Sequence, residues 1–167
     1  MLNEAVLRLK GELKDEDEFD TTLDLDINAF IPSTYVYNEY QKLELYKRIS
    51  SIESKDEMED MTDELIDRFG LLPDAARNLL DIARLRQQAQ KLGIRKFESN
   101  EKGGIIEFAE KNHVDPMWLI GLLQKQPQHF RLDGPTRLRF VQALAERKTR
   151  MDWVRNFMRQ LEENAIA

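Results

Sequence analysis

The 167-residue chain has no cysteine, only two histidines, seven glycines and five prolines. Without thiols it can form neither disulfides nor thiolate metal sites, and a cysteine nucleophile is excluded. That usage fits a reducing compartment, and a cytoplasmic location is expected. No apolar run approaches the ~20 residues that a membrane span requires. The opening MLNEAVLRLKGELKDEDEFD lacks a basic region followed by an apolar core, so no signal peptide is expected. His113 and His129 are too few for a zinc centre, which needs three or four converging ligands. A capping loop and a strand edge account for them more simply, and no metal or cofactor is expected.

Charge and apolar residues are abundant. The apolar fraction is 41% and the charged fraction 34%, a balance that suits one soluble domain with a core and a heavily charged surface. The net charge of −6 is unevenly spread: residues 1–70 carry 19 acidic and 8 basic groups, and residues 71–167 carry 12 and 17. An acidic first half and a mildly basic second half suggest charged partners, although solvated acids in a linker and on exposed helices would give the same counts.

Periodicity divides the chain into short elements. A helix over about Leu2–Leu13 precedes the acidic link KDEDEFD (Lys14–Asp20), so residues 1–20 are expected to stand apart from a domain over 21–167. TTLDLDINAFIP alternates Leu23, Leu25 and Ile27 with Thr22, Asp24 and Asp26, which predicts a half-exposed, antiparallel strand ended by Pro32. Helices are predicted over Asn38–Ile52, from the capping box at Ser54 and Glu57 to Gly70, and from Pro73 at the first turn to Gly93. IRKFE and GIIEF, separated by a turn-rich segment, read as a β-hairpin. Asp115 and Pro116 start a helix to about Lys125, HFRLDGPTRLRFV reads as a second hairpin although residues 136–145 also tolerate a helical reading, and a last helix covers about Thr149–Asn164. The expected fold is α+β: a single compact domain of several helices and short antiparallel strands, preceded by an N-terminal linker helix.

Catalytic constellations are hard to find. KGG (Lys102–Gly104) precedes a strand, whereas a phosphate loop precedes a helix. The serines have no elbow-type context, and the acids of DEMEDMTDE suit a soluble helix face. No enzyme is expected. Nucleic-acid contact is a further candidate: Arg131, Arg137 and Arg139 share one face of the second hairpin, with Lys148, Arg150, Arg155 and Arg159 following. Against it, the hairpin phenylalanines point inward with the leucines, and the pI is about 5.1. In DELIDRFG, Met61, Leu65 and Phe69 face the core, while Glu64, Asp67 and Arg68 stand at i, i+3 and i+4 on another face. Such a patch can dock a charged partner, or Glu64 and Arg68 can simply pair with each other.

ELIDRFGLLPDAARNLLDIARLRQQAQKLGIRK, GGIIEFAEKNHVDP, WLIGLLQKQPQHFRLDGPTRLRF and FMRQLEENAIA closely resemble the C-terminal domain of the bacterial transcription-repair coupling factor (Mfd) family, of proteobacterial type. The resemblance is strong over residues 31–167 and weaker over 13–26, and the N-terminal helix resembles the link to the motor. It implies a piece of an ATP-dependent DNA translocase whose motor lies elsewhere. It further implies a regulatory, autoinhibitory domain that packs on a UvrB-like N-terminal module, covers the UvrA-binding surface and restrains the motor until RNA polymerase is engaged. Carried over, the docking residues are Glu64, Asp67 and Arg68. UvrA and RNA polymerase are then indirect partners, and DNA is not expected to bind the domain by itself.

Overall fold

Asn38 turns the chain into its first described helix. Its side-chain oxygen accepts the Gln41 N–H at 3.1 Å, satisfying a donor that the helix cannot, and α1 runs Glu39–Ser50. The computed structural model describes residues 20–166; the helix expected over Leu2–Leu13 and nearly all of the 1–20 segment lie outside them. Two further helices follow, α2 (Lys55–Phe69) and α3 (Asp74–Leu92). The box at Ser54 forms as read: its Oγ accepts the Glu57 N–H at 3.1 Å, and the Glu57 carboxylate accepts the Glu53 N–H at 3.0 Å. Pro73 stands one residue outside α3, as its cap, not within the first turn. Gly93 closes α3 in the left-handed region at φ +86°, where a Cβ would lie 2.6 Å from the Asn112 Cα.

Both hairpins are present. The first pairs β2 (Ile94–Asn100) with β3 (Gly103–Phe108), and the second pairs β4 (Phe130–Leu132) with β5 (Arg137–Val141). Between them, Asp115 caps α4 (Pro116–Lys125), its carboxylate accepting the Met117 N–H at 3.0 Å. The last helix, α5, runs Arg147–Glu163. With β1 (Thr22–Asp24), the strands make one sheet in the order β1-β2-β3-β5-β4.

β1 departs from expectation twice. It runs parallel to β2, with Thr22 opposite Lys96 and Asp24 opposite Glu98. Alternation reports a half-exposed strand but not its direction, and here three helices intervene, a crossover long enough to return the chain parallel. The strand also ends at Asp24. Asp26 takes φ +53°, and its N–H donates to Asp24 Oδ1 at 3.1 Å, an Asx turn that breaks the ladder well before Pro32.

The sheet has one covered face and one open face. Phe97, Ile106, Leu138 and Phe140 point to the covered side, where the C-terminal half of α3, α4 and α5 pack on them in one core. Trp153 of α5 stacks on Phe140 at 4.6 Å between ring centroids. A second core joins α1, α2 and the N-terminal part of α3 through Leu45, Ile49, Met61, Leu65 and Leu80. In α3, Ala76, Leu80, Leu85 and Ala89 are buried, while Leu79 and Ile82 are half-buried. Leu132, expected inward with the hairpin phenylalanines, is instead 47% exposed on the three-residue edge strand β4. Among the described residues the fold is therefore α+β: five helices and a five-stranded mixed sheet.

Candidate functional site

The DELIDRFG segment lies in the helical core, where Met61 and Leu65 are buried at 5% and 2% exposure. Fixing that face of α2 turns Glu64 toward α1, and Arg48 meets it there. Its guanidinium donates from Nη1 and Nη2 to the two Glu64 oxygens at 2.5 and 2.7 Å. Arg68, one turn along α2, donates to the same carboxylate at 3.0 Å. Two guanidiniums thus hold one carboxylate, and all three side chains remain 34–40% exposed. The hydrogen bond from Arg48, then that from Arg68, holds the Glu64 carboxyl down to about 2 against a slight opposing effect of burial.

Arg68 is itself located by the fold. Its guanidinium lies 4.9 Å over the Phe69 ring, and Phe69 packs on Tyr35 at 5.7 Å. The Tyr35 hydroxyl reaches the Leu65 and Gly70 carbonyls at 3.0 and 2.7 Å, fixing the end of α2. Asp67 is exposed beside this cluster and has no ion pair among the described residues. An open groove of about 410 Å³, lined in part by Arg48, Asp60 and Glu64, runs between α1 and α2. The arrangement suits recognition. A carboxylate gripped by two guanidiniums is a poor base, while Arg68 keeps further N–H donors and Asp67 keeps free acceptors.

Sequence spacing placed Glu64 and Arg68 together, and the structure does so. Spacing could not show Arg48, which comes from another helix sixteen residues away. The second candidate set is dispersed by its own partners. Arg139 pairs with Asp133 at 3.0 Å and Arg137 with Glu107 at 3.6 Å on the open sheet face; exposed Arg131 stands opposite Arg139. The hydrogen bond from Arg139 holds the Asp133 carboxyl below its usual range. Arg155 pairs with Asp81 at 2.8 Å, and Arg159 lies 3.8 Å from Glu163. Arg150 is not on that face at all. It is 3% exposed, and its guanidinium donates to the carbonyls of Leu144, Leu25 and Asp26 at 2.9–3.1 Å. One signal was available: position 150 continues the buried series 154, 157, 158 and 161 of α5 at helical spacing.

The fold is that of an α+β domain, and no described helix is long and apolar enough to cross a bilayer. Residues 25–119 match the TRCF domain family, and the chain belongs to that family. It is 62% identical to the transcription-repair-coupling factor of Escherichia coli over the whole of this chain and 15% of that protein. It is 37% identical to the corresponding factor of Haemophilus influenzae, over 96% of this chain and 14% of that protein. The chain thus spans about one seventh of the length of these relatives. A crystal structure of the C-terminal domain of a transcription-repair coupling factor superposes with a TM-score of 0.70. It is 23% identical, and the match covers 88% of this chain and 94% of that one. The fold is that of this C-terminal domain.

Proposed function

We propose that the domain is a non-catalytic clasp within a transcription-repair coupling factor. It docks through Glu64, Asp67 and Arg68 on a UvrB-like N-terminal module of the same parent protein. In doing so it masks the UvrA-binding surface and restrains the motor until RNA polymerase is engaged. The observation that carries this reading is the Arg48–Glu64–Arg68 cluster, pre-set by the helical core, with Asp67 exposed beside it. A preset polar patch loses little side-chain freedom on docking.

Tethering explains why a polar contact suffices. Within one polypeptide the partner is present at high effective concentration, so a weak contact stays closed. The same contact opens readily, because a partner that binds the open form better by a few kcal/mol shifts the population. The parent acts in the cytoplasm, and UvrA and RNA polymerase are reached indirectly. A direct DNA or polymerase contact through Arg131, Arg137 and Arg139 is the weaker reading, because the hairpin phenylalanines Phe130 and Phe140 are buried in the core and leave no aromatic surface beside the arginines for bases to stack on.

UvrA binding to the full-length parent tests the proposal. Glu64→Ala, Asp67→Ala and Arg68→Ala combined should raise UvrA binding several-fold. Binding unchanged by the triple substitution would end the clasp reading.

A further inference from the structure

All four tyrosines of the chain lie within twelve residues, at 35, 37, 40 and 46. Two serve the fold. Tyr35 bonds the end of α2, and the Tyr46 hydroxyl accepts the Ile31 N–H at 2.7 Å. The other two do not: Tyr37 is 91% exposed, Tyr40 84%, and Leu43, one turn further along α1, 61%. The hydroxyls of Tyr37 and Tyr40 have no hydrogen-bond partner among the described residues, and none of the three side chains enters either core. Helical spacing puts Tyr40, Leu43, Glu44 and Lys47 on one outward stripe of α1, opposite buried Leu45 and Ile49.

The stripe adjoins the charged cluster. Glu44 follows Tyr40 by four residues and precedes Arg48 by four, and its charge acts on Arg48. Through Glu44, the Tyr40 and Leu43 side of α1 therefore adjoins the Arg48 end of the polar patch. The surrounding lobe is acidic: residues 37–69 carry ten acidic and five basic side chains. Two of those five, Arg48 and Arg68, are held by Glu64. The complementary surface is basic, with an apolar socket at its centre. A second copy of this lobe would bring like charges together. Most of the parent's length lies outside this chain, which supplies a tethered alternative.

We infer that Tyr37, Tyr40 and Leu43 are the apolar anchor by which the domain seats on a basic, apolar-socketed protein surface elsewhere in its parent. Exposed tyrosines suit this role, giving large rigid contact area with few rotors to immobilise. The inference rests on the docking reading above and assigns to that interface its hydrophobic centre, with Glu64, Asp67 and Arg68 at the polar rim.

Hydrogen exchange of this chain, with and without the purified UvrB-like N-terminal module, tests it. Protection should develop in peptides covering 37–45 as well as 64–68. Tyr40→Ala with Leu43→Ala should weaken binding at least about tenfold, with the melting temperature unchanged because both side chains are exposed. Protection confined to 64–68, with the double variant binding normally, would overturn the anchor and leave the polar docking reading intact. Protection of 37–45 that grows with concentration of this chain alone would assign the stripe to a second copy and overturn the proposed occupant. An absence of protection in both segments at saturating module would overturn both readings.

Discussion

Arg48 and Glu64 form a two-pronged ion pair between α1 and α2, at 2.5 and 2.7 Å, and Arg68 completes it from the other side at 3.0 Å. Because these bonds hold the Glu64 carboxyl at about 2, against 4.5 without them, its contribution is complete above pH 4.5. It is lost as pH falls through about 2, since the unfolded chain takes up the proton first. With a third of the side chain exposed, screening leaves about 1 kcal/mol. Glu64→Gln should remove that amount at neutral pH. Denaturant titrations from pH 7 to pH 2.5 should show a shallower acid decline for the variant.

The two arginines should not be equivalent. Arg48 crosses between helices with both nitrogens engaged, whereas Arg68 is an i,i+4 neighbour making one bond. Double-mutant cycles to alanine should give a coupling of about 1 kcal/mol for Arg48–Glu64 and about 0.3–0.5 kcal/mol for Arg68–Glu64, both falling in high salt. Equal couplings would mean that the two-pronged geometry adds nothing.

Arg150 is expected to be the most sensitive charged position. Its buried guanidinium satisfies carbonyls from the entering strand segment, Leu25 and Asp26, and from Leu144. Arg150→Met keeps much of the volume but leaves those carbonyls without their donor. A loss of about 3 kcal/mol is expected, with faster hydrogen exchange in residues 22–26. A loss below 1 kcal/mol would show that water replaces the guanidinium without penalty.

Gly104 lies on β3 where the sheet leaves no room. A Cβ there would meet the Glu98 carbonyl oxygen at 1.8 Å and the Phe140 ring at 2.7 Å. Gly104→Ala should destabilise by about 3 kcal/mol or more, because the first of these contacts is backbone and cannot rotate away. By contrast, Gly121 on α4 has nothing within 4 Å, and Gly121→Ala should be neutral or slightly stabilising. The pair of melting temperatures separates a steric requirement from a general intolerance of substitution.

What the sequence made legible is what is local. The Ser54 box, the Asp115 cap before Pro116, the Gly93 stop and both hairpins each depend on residues a few positions apart, and each forms as read. The direction of β1 depends on how a chain of some seventy residues returns to pair with β2, which alternation does not encode. Arg48 belongs to the charged cluster only because the α1–α2 packing brings two helices together. Arg150 was readable as interior from its period, but a long charged side chain is ordinarily assigned to the surface. The proposed docking role rests on family resemblance; the residues alone offer a patch and no partner.

Titration of this domain with the UvrB-like N-terminal module, at low and moderate salt, tests the central claim most directly. Weak, salt-sensitive binding is expected, abolished by Glu64→Ala, Asp67→Ala and Arg68→Ala together. Binding that ignores both salt and the triple substitution would contradict it.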